Sequence, residues 1–365
     1  MSKTKNPFTP AFGSEPLFLA GREQIIEDIL GGLENGPGDP NRASILVGPR
    51  GSGKTVLLTR IATEASKIGW ISASVTAASG MLVKILEQIE YNGKEILPAK
   101  GKTRLSELQA FGVGFGTEKI DQREPSWRLQ VTRYLELLAE HSVGLLITVD
   151  EIDAQQSEMV ELVADFQHLV REKRDVALIM AGLPGKTLQM LQDNSISFTR
   201  RAFQHRLGAI GKTDVKTAIK KTIEAAGRNI NDDALDAAAG FTKGFPFLIQ
   251  LVGYHTWRQS PENETVTLSD VTYGIKSSEE HMERMILDTT VKELSEKDLE
   301  FLIAMLQDKA ESKISDITVR LGWKSNSISQ YRLRLIKQGV IEEYGRGKVQ
   351  FALPLLKEYL LKNNK

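Results

Sequence analysis

Residues 44–55 read Ser-Ile-Leu-Val-Gly-Pro-Arg-Gly-Ser-Gly-Lys-Thr, and the fold turns on this stretch. Ser44–Val47 is an apolar run too short for a helix and closed by Gly48 and Pro49, so it reads as a buried strand. The next eight residues, Gly48, Pro49, Arg50, Gly51, Ser52, Gly53, Lys54 and Thr55, fit the spacing G-x-x-x-x-G-K-[ST]. Glycines let such a loop fold with successive backbone N–H groups turned inward, towards phosphate oxygens. A helix expected over about 54–68 adds the positive end of its dipole. In that arrangement Lys54 reaches the β- and γ-phosphates of ATP, and Thr55 offers a hydroxyl to Mg²⁺. The strand before the loop and the helix after it are the context this motif requires.

The second half of the site lies about 95 residues downstream, in Leu145-Leu146-Ile147-Thr148-Val149-Asp150-Glu151. An apolar strand here ends in two acids, and the carboxyl ends of parallel strands open onto the ligand crevice. Asp150 is placed to hold Mg²⁺, and Glu151 to act as general base on the attacking water. Asp153 reads as an ordinary charge at a helix N-terminus.

Outward from these two stretches, the chain alternates strand and helix. Helical spacing covers 21–33, 81–91, 127–140 and 156–171, and strands are expected at 70–75, 145–149 and 176–180. This predicts an α/β fold, a parallel sheet with helices on both faces. Residues 1–16 hold three prolines and read as an extended arm. Residues 93–126 read as a loop or hairpin insertion, with strand-like alternation at 111–115 weakened by glycines. Helices dominate from about 206 to 290, a small helical lid, and a new unit starts near Val291. The expected domains are therefore 1–205, 206–290 and 291–365.

Composition excludes several chemistries. The 365 residues include no cysteine, so disulfides, thiolate metal sites and a cysteine nucleophile are ruled out, which fits a cytoplasmic protein. No apolar signal core opens the chain, and no run approaches ~18 apolar residues, so no membrane span is expected. Lys+Arg and Asp+Glu both total 47, so any nucleic-acid surface must be local.

With these residues in view, the chain resembles the AAA+ superfamily, in the branch shared by origin-recognition initiators and STAND-type ATPases. Four features carry the resemblance over about 21–260: Gly21-Arg22-Glu23, the loop 48–55, the run Val149-Asp150-Glu151-Ile152-Asp153, and Gly244-Phe245-Pro246. The resemblance implies that Gly21 and Arg22 lie near the adenine, and that Pro246 meets base or ribose as the lid folds over. It also implies ATP and ADP as ligands, Mg²⁺ as cofactor, and homo-oligomers formed on ATP binding. Arg200 and Arg201 stand where the family places its arginine finger, a residue worth ~10³–10⁵ in rate when supplied by a neighbouring subunit. Two departures point to slow hydrolysis. The fourth strand ends Met180-Ala181-Gly182-Leu183 with no polar side chain, and the lid has no Gly-Ala-Arg arginine.

The C-terminal unit reads as three helices and a β-hairpin, a winged helix-turn-helix. Ser295 caps its first helix, with Asp298 completing a capping box. The second helix is expected at about 315–321. In the third, Lys324–Ser327 forms a turn and cap, and the helix proper covers 328–338. Between 313 and 350, eight basic residues (Lys313, Arg320, Lys324, Arg332, Arg334, Lys337, Arg346 and Lys348) face three acids (Asp316, Glu342 and Glu343). At ~100° per residue, Asn326, Ser327, Gln330, Arg334 and Lys337 share one helix face, opposite Ile328, Tyr331 and Leu335. That face, with Arg346 at the tip of the wing, suits double-stranded DNA. The expectation is an ATPase coupling nucleotide state to DNA binding. The rival readings are a STAND-like switch with a protein partner, and a helper ATPase of a mobile element.

Overall fold

The computed structural model describes residues 5–11, 13–97 and 125–363. The strand-like alternation at 111–115 lies outside them. Five parallel strands form the central sheet: β1 (Ala43–Val47), β2 (Trp70–Thr76), β3 (Gly144–Asp150), β4 (Val176–Gly182) and β5 (Phe203–Arg206). Their order across the sheet is β2-β3-β4-β1-β5. Strand residues alternate between two cores, as a pleated sheet covered on both sides requires. Ile45, Leu145, Ile147, Val149, Leu178 and Met180 face helices α3 (Met81–Asn92), α4 (Trp127–Glu140) and α5 (Ser157–Arg171). Leu46, Leu146, Ala177 and Ile179 face α1 (Glu23–Asn35) and α2 (Lys54–Lys67).

The fifth strand was not expected from sequence. Phe203–Arg206 carries no apolar run, and it pairs on one side only, with β1. Its His205 is buried. Between β4 and β5 stand helix α6 (Pro184–Gln192) and the 3₁₀ turn Asn194–Arg201. A connector, 207–211, then leads to α7 (Lys212–Ala225), α8 (Asp232–Thr242), α9 (Pro246–Gln259) and α10 (Leu268–Met282). The short strands β6 (Asn229–Ile230) and β7 (Thr265–Val266) tie these helices together.

A π-helical turn (Glu283–Leu287) and α11 (Asp288–Lys292) lead into the C-terminal unit. There α12 (Glu296–Met305), α13 (Ile314–Leu321) and α14 (Ser325–Lys337) pack beside an antiparallel sheet ordered β8-β10-β9. Its strands are β8 (Ser312–Lys313), β9 (Ile341–Glu343) and β10 (Lys348–Phe351), and α15 (Leu356–Asn363) follows. The capping box of α12 forms as read, with Ser295 and Asp298 exchanging bonds. Helix α14 starts three residues earlier than the sequence suggested, so Asn326 and Ser327 sit in its first turn, not in a preceding cap.

Helix α9 is apolar on more than one side. Ile249 and Val252 enter the lid core with Val215, Ile219 and Leu235. Leu248 and Leu251 enter another core with Phe301, Ile317, Ile328 and Leu335 of the C-terminal unit. The arm is docked too. Phe8 is 2% exposed and lies so close to Gly253 that a Cβ there would come within 2.3 Å of its ring. Glu15 bonds Arg60 of α2 at 2.7 Å.

Candidate nucleotide site

The phosphate loop is built by two left-handed glycines. Gly51 has φ +76° and Gly53 φ +87°, a region open to glycine and costly to residues with a Cβ. Gly53 is the residue from which α2 departs. The loop is anchored to the neighbouring strand where Gly48 N–H donates to Gly182 O at 3.3 Å. Inside it Lys54 Nζ donates to Gly48 O at 2.9 Å and to Pro49 O at 2.8 Å. Burial pushes the Lys54 ammonium down to about 8; Asp150 and Glu151 oppose that shift and Arg50 adds to it. Ser52 is 3% exposed and its Oγ has no hydrogen-bond partner. Ser52 thus sits as a buried polar atom lacking a partner in a loop whose chemistry suits anions.

The carboxylates meet the loop as the sequence implied. Thr55 Oγ1 donates to Asp150 Oδ2 at 2.5 Å. A hydroxyl and a carboxylate in contact are the hard-oxygen donors Mg²⁺ prefers, so these residues fit that ion. Asp150 Oδ1 accepts the N–H of Glu151 at 2.8 Å. Glu151 itself is exposed and has φ +55°. A non-glycine residue pays roughly 1–3 kcal/mol for that conformation, and such strain concentrates at functional positions. Asp153 departs from its reading as a simple helix charge. It forms an ion pair with Lys186 of α6, which holds its carboxyl below the usual range against the opposing effect of burial. Lys186 was missed because nothing in its local spacing marks it; only the fold brings α6 beside Asp153.

The lid closes on the loop. A Cβ on Gly53 would lie 3.6 Å from Pro246, and one on Gly51 would lie 3.5 Å from Phe247. Gly244, at φ +76°, is wedged against the connector, where Ile210 N–H donates to Gly244 O at 2.8 Å. Gly21 lies against the same connector, near Ile210 and Asp214. Arg22 is buried, its Nη2 donating to Gly208 O at 2.6 Å, and burial lowers its pKa. The Gly21–Arg22 box therefore braces the hinge between sheet and lid.

Residues 19–179 match the AAA ATPase domain. Residues 284–360 match a domain of unknown function (DUF8462). Among curated proteins no relative matches the chain. The Walker-type ATPase PABY2304 of Pyrococcus abyssi is similar in structure, with a TM-score of 0.66 at 16% identity over 94% of this chain and 96% of that one. The Aeropyrum pernix ORC2 protein, solved in ADPNP–ADP complexes, has a TM-score of 0.51 at 14% identity over 97% of this chain and 95% of that one. At these identities the likeness concerns the fold, which is that of AAA+ P-loop ATPases. No helix among the described residues is long and apolar enough to cross a membrane.

The remaining AAA-type candidates are less concentrated. Arg200 and Arg201 are exposed and precede β5, whose first residue, Phe203, pairs with Ser44. They thus lie at the end of the sheet away from their own phosphate loop. Arg200 Nε donates to Leu191 O at 2.8 Å.

In the C-terminal unit the basic face is partly neutralised. Arg334 bonds the fully buried Asp298 at 3.1 Å, and Arg332 bonds Glu343 at 2.5 Å. Arg320 is held by Asp308 at 2.6 Å and Lys348 by Glu311 at 3.0 Å. Three of these four acids, Asp298, Asp308 and Glu311, lie outside the 313–350 window that defined the local excess. Asn326, Gln330 and Arg346 are exposed, and Ser327 is half-buried. Lys337 is exposed, but its backbone lies against the ATPase core: a Cβ on Gly185 would come within 2.7 Å of its Cα. Beside it, Gly339 faces Leu183. The predicted DNA face is thus split. Its N-terminal half is open, Arg334 is anchored inward, and the C-terminal end is docked on the segment that follows β4.

Proposed function

We propose that this chain is an AAA+-type ATPase that couples ATP binding and slow hydrolysis to binding of double-stranded DNA through its C-terminal unit, a winged helix. One observation carries the reading. Helix α9 places Pro246 and Phe247 on the phosphate loop and, within the next turn, Leu248 and Leu251 in the core of the C-terminal unit. Whatever occupies the loop bears on that unit through a single helix.

The reaction is ATP + H₂O → ADP + phosphate. Glu151 accepts a proton from the attacking water as its oxygen bonds the γ-phosphorus, and the bond to the β-phosphate oxygen breaks with ADP as leaving group. Lys54 and the loop N–H groups carry the charge on the phosphates. Thr55 and Asp150 are the residues that would hold Mg²⁺, which supplies further charge neutralisation there. An absent polar side chain after Met180 accounts for slow turnover. Arg200 and Arg201, set away from their own site, are candidates to complete a neighbouring copy's site in an oligomer.

Lys54→Ala is expected to abolish nucleotide binding, and Glu151→Gln to permit binding while stopping turnover; full ATPase activity in both variants would sink the assignment. The coupling is tested by duplex-DNA binding with ATP–Mg²⁺, with ADP–Mg²⁺ and without nucleotide across a salt series, for wild type, Gln330→Ala and Arg346→Ala. Binding that depends on nucleotide, weakens with salt and weakens in Arg346→Ala supports it. No binding at low salt in any nucleotide state overturns it. The seat of α14 on Leu183–Gly185 favours the second reading, a nucleotide-held switch with a protein partner. Tightly retained ADP in purified protein, together with absent DNA binding, would support that reading.

A further inference from the structure

The backbone of Glu151 is held in its left-handed conformation from both sides. On the near side, Asp150 O accepts Ala77 N–H at 2.9 Å, and Asp150 Oδ1 accepts Glu151 N–H at 2.8 Å. On the far side, Ile152 N–H donates to Ala181 O at 2.9 Å. The Ile152 side chain is 1% exposed and lies against Gly182, where a Cβ would come within 2.4 Å of it. The next residue, Asp153, is gripped by Lys186. A strained conformation persists only where its surroundings over-determine it, and Lys186 supplies the one ionic constraint on the segment beyond Glu151 among the described residues.

Lys186 stands on α6 next to Gly185, and Gly185 is where the C-terminal unit rests. A Cβ there would meet Lys337 Cα at 2.7 Å and its N at 3.1 Å. Consecutive residues of one short helix therefore touch the C-terminal unit and the carboxylate segment. The same helix begins directly after β4, whose final carbonyl, Gly182 O, accepts from Gly48 of the phosphate loop at 3.3 Å.

We propose that Lys186 is a positioning residue for hydrolysis: through Asp153 it fixes the segment that presents Glu151, and through its neighbour Gly185 it makes turnover depend on the seating of α14. Lys186 takes no part in proton transfer. The inference rests on Glu151 being the base.

The test uses full-length protein and compares wild type, Lys186→Met, Lys186→Arg, Asp153→Asn and Gly185→Ala. The readouts are kcat, the Kd of a fluorescent ATP analogue, and amide exchange over 150–154. Lys186→Met and Asp153→Asn are expected to lower kcat by about 10- to 100-fold, the scale of a misplaced catalytic group. Nucleotide Kd should stay within about twofold, and exchange over 150–154 should accelerate. Lys186→Arg, which keeps the charge, should recover most of kcat. Gly185→Ala should change kcat several-fold with Kd unchanged, because the added methyl displaces Lys337. If the wild type turns over and both Lys186→Met and Asp153→Asn match it, with unchanged exchange, the role of Lys186 is overturned while the ATPase reading stands. Wild-type kcat in Gly185→Ala overturns the link to the C-terminal unit. A wild type with no turnover overturns the assignment of Glu151 and this inference with it. Thermal melts of each variant separate loss of fold from loss of positioning, and a misfolded Lys186→Met leaves Asp153→Asn to decide.

Discussion

Raising the pH from 7 to 9 perturbs the nucleotide site chiefly at Lys54. Burial lowers its ammonium from 10.5 to about 8, so before nucleotide binds, only about one-tenth of the molecules keep that charge at pH 9. Phosphate oxygens require it. An occupied site holds Lys54 charged, so binding at high pH must return the proton. Apparent affinity for ATP then falls about tenfold between pH 7 and 9, and binding at pH 9 takes up close to one proton, roughly 0.9. Calorimetric titration with a non-hydrolysable ATP analogue and Mg²⁺, in two buffers of different ionisation enthalpy, reads both quantities. Equal affinity at pH 7 and 9 with no buffer dependence would refute the argument. On folding stability the same shift acts in the opposite sense. Between about 8 and 10.5 the unfolded chain binds more protons than the native state, so native stability rises with pH across that window, by up to about 3 kcal/mol. Lys54→Met removes the buried charge, so it is expected to raise the melting temperature measured without nucleotide at pH 7 while abolishing nucleotide binding.

Three further outcomes follow from packing and pairing. Gly244→Ala places a Cβ 2.2 Å from Ile210 O at φ +76°, so denaturant unfolding should show a loss of about 2–4 kcal/mol; a wild-type midpoint contradicts the hinge geometry. Phe8→Ala empties a site that is 2% exposed and should cost about 3 kcal/mol in the same assay, whereas an arm that merely lies on the surface would cost nothing. Arg334→Ala leaves the buried Asp298 carboxylate without its cation and should cost about 1–3 kcal/mol. The exposed wing-tip substitution Arg346→Ala should stay within about 0.5 kcal/mol of wild type. Equal effects would contradict the pairing.

What the sequence made legible was whatever chemistry is written in consecutive residues. The loop 48–55 and the acids 150–151 were readable because a phosphate cradle needs fixed spacing and its strands need apolar runs. Their meeting at Thr55 and Asp150 followed from parallel-sheet topology alone. Strand β5 escaped because it pairs on one side only and carries Gln, His and Arg in place of an apolar run. Asp153 passed for a helix charge because its partner lies 33 residues away on a helix with no chemical signature. The local excess of basic residues in the C-terminal unit was counted correctly, but the cross-element pairing that ties Arg334 to Asp298 and Arg320 to Asp308 was not visible in the sequence. Likewise the arm looked featureless because a single Phe8 has no periodicity to betray it.

The two-sided packing of helix α9 has a consequence for how the molecule comes apart. Leu248 and Leu251 share one core with Phe301 and Ile328, and α15 clamps the seam through Lys362–Glu283 at 2.9 Å and through Tyr359 to Asp288 at 2.5 Å. Lid and C-terminal unit are therefore expected to melt as one cooperative block, seen as a single transition in calorimetry, although the chain passes from one to the other near residue 290. A chain cut there would leave Leu248 and Leu251 facing water, and an excised C-terminal fragment would lack the wall against which its own core is packed. Recombination that exchanges one such unit for another must carry α9 with it, because Leu248 and Leu251 complete the core of the C-terminal unit.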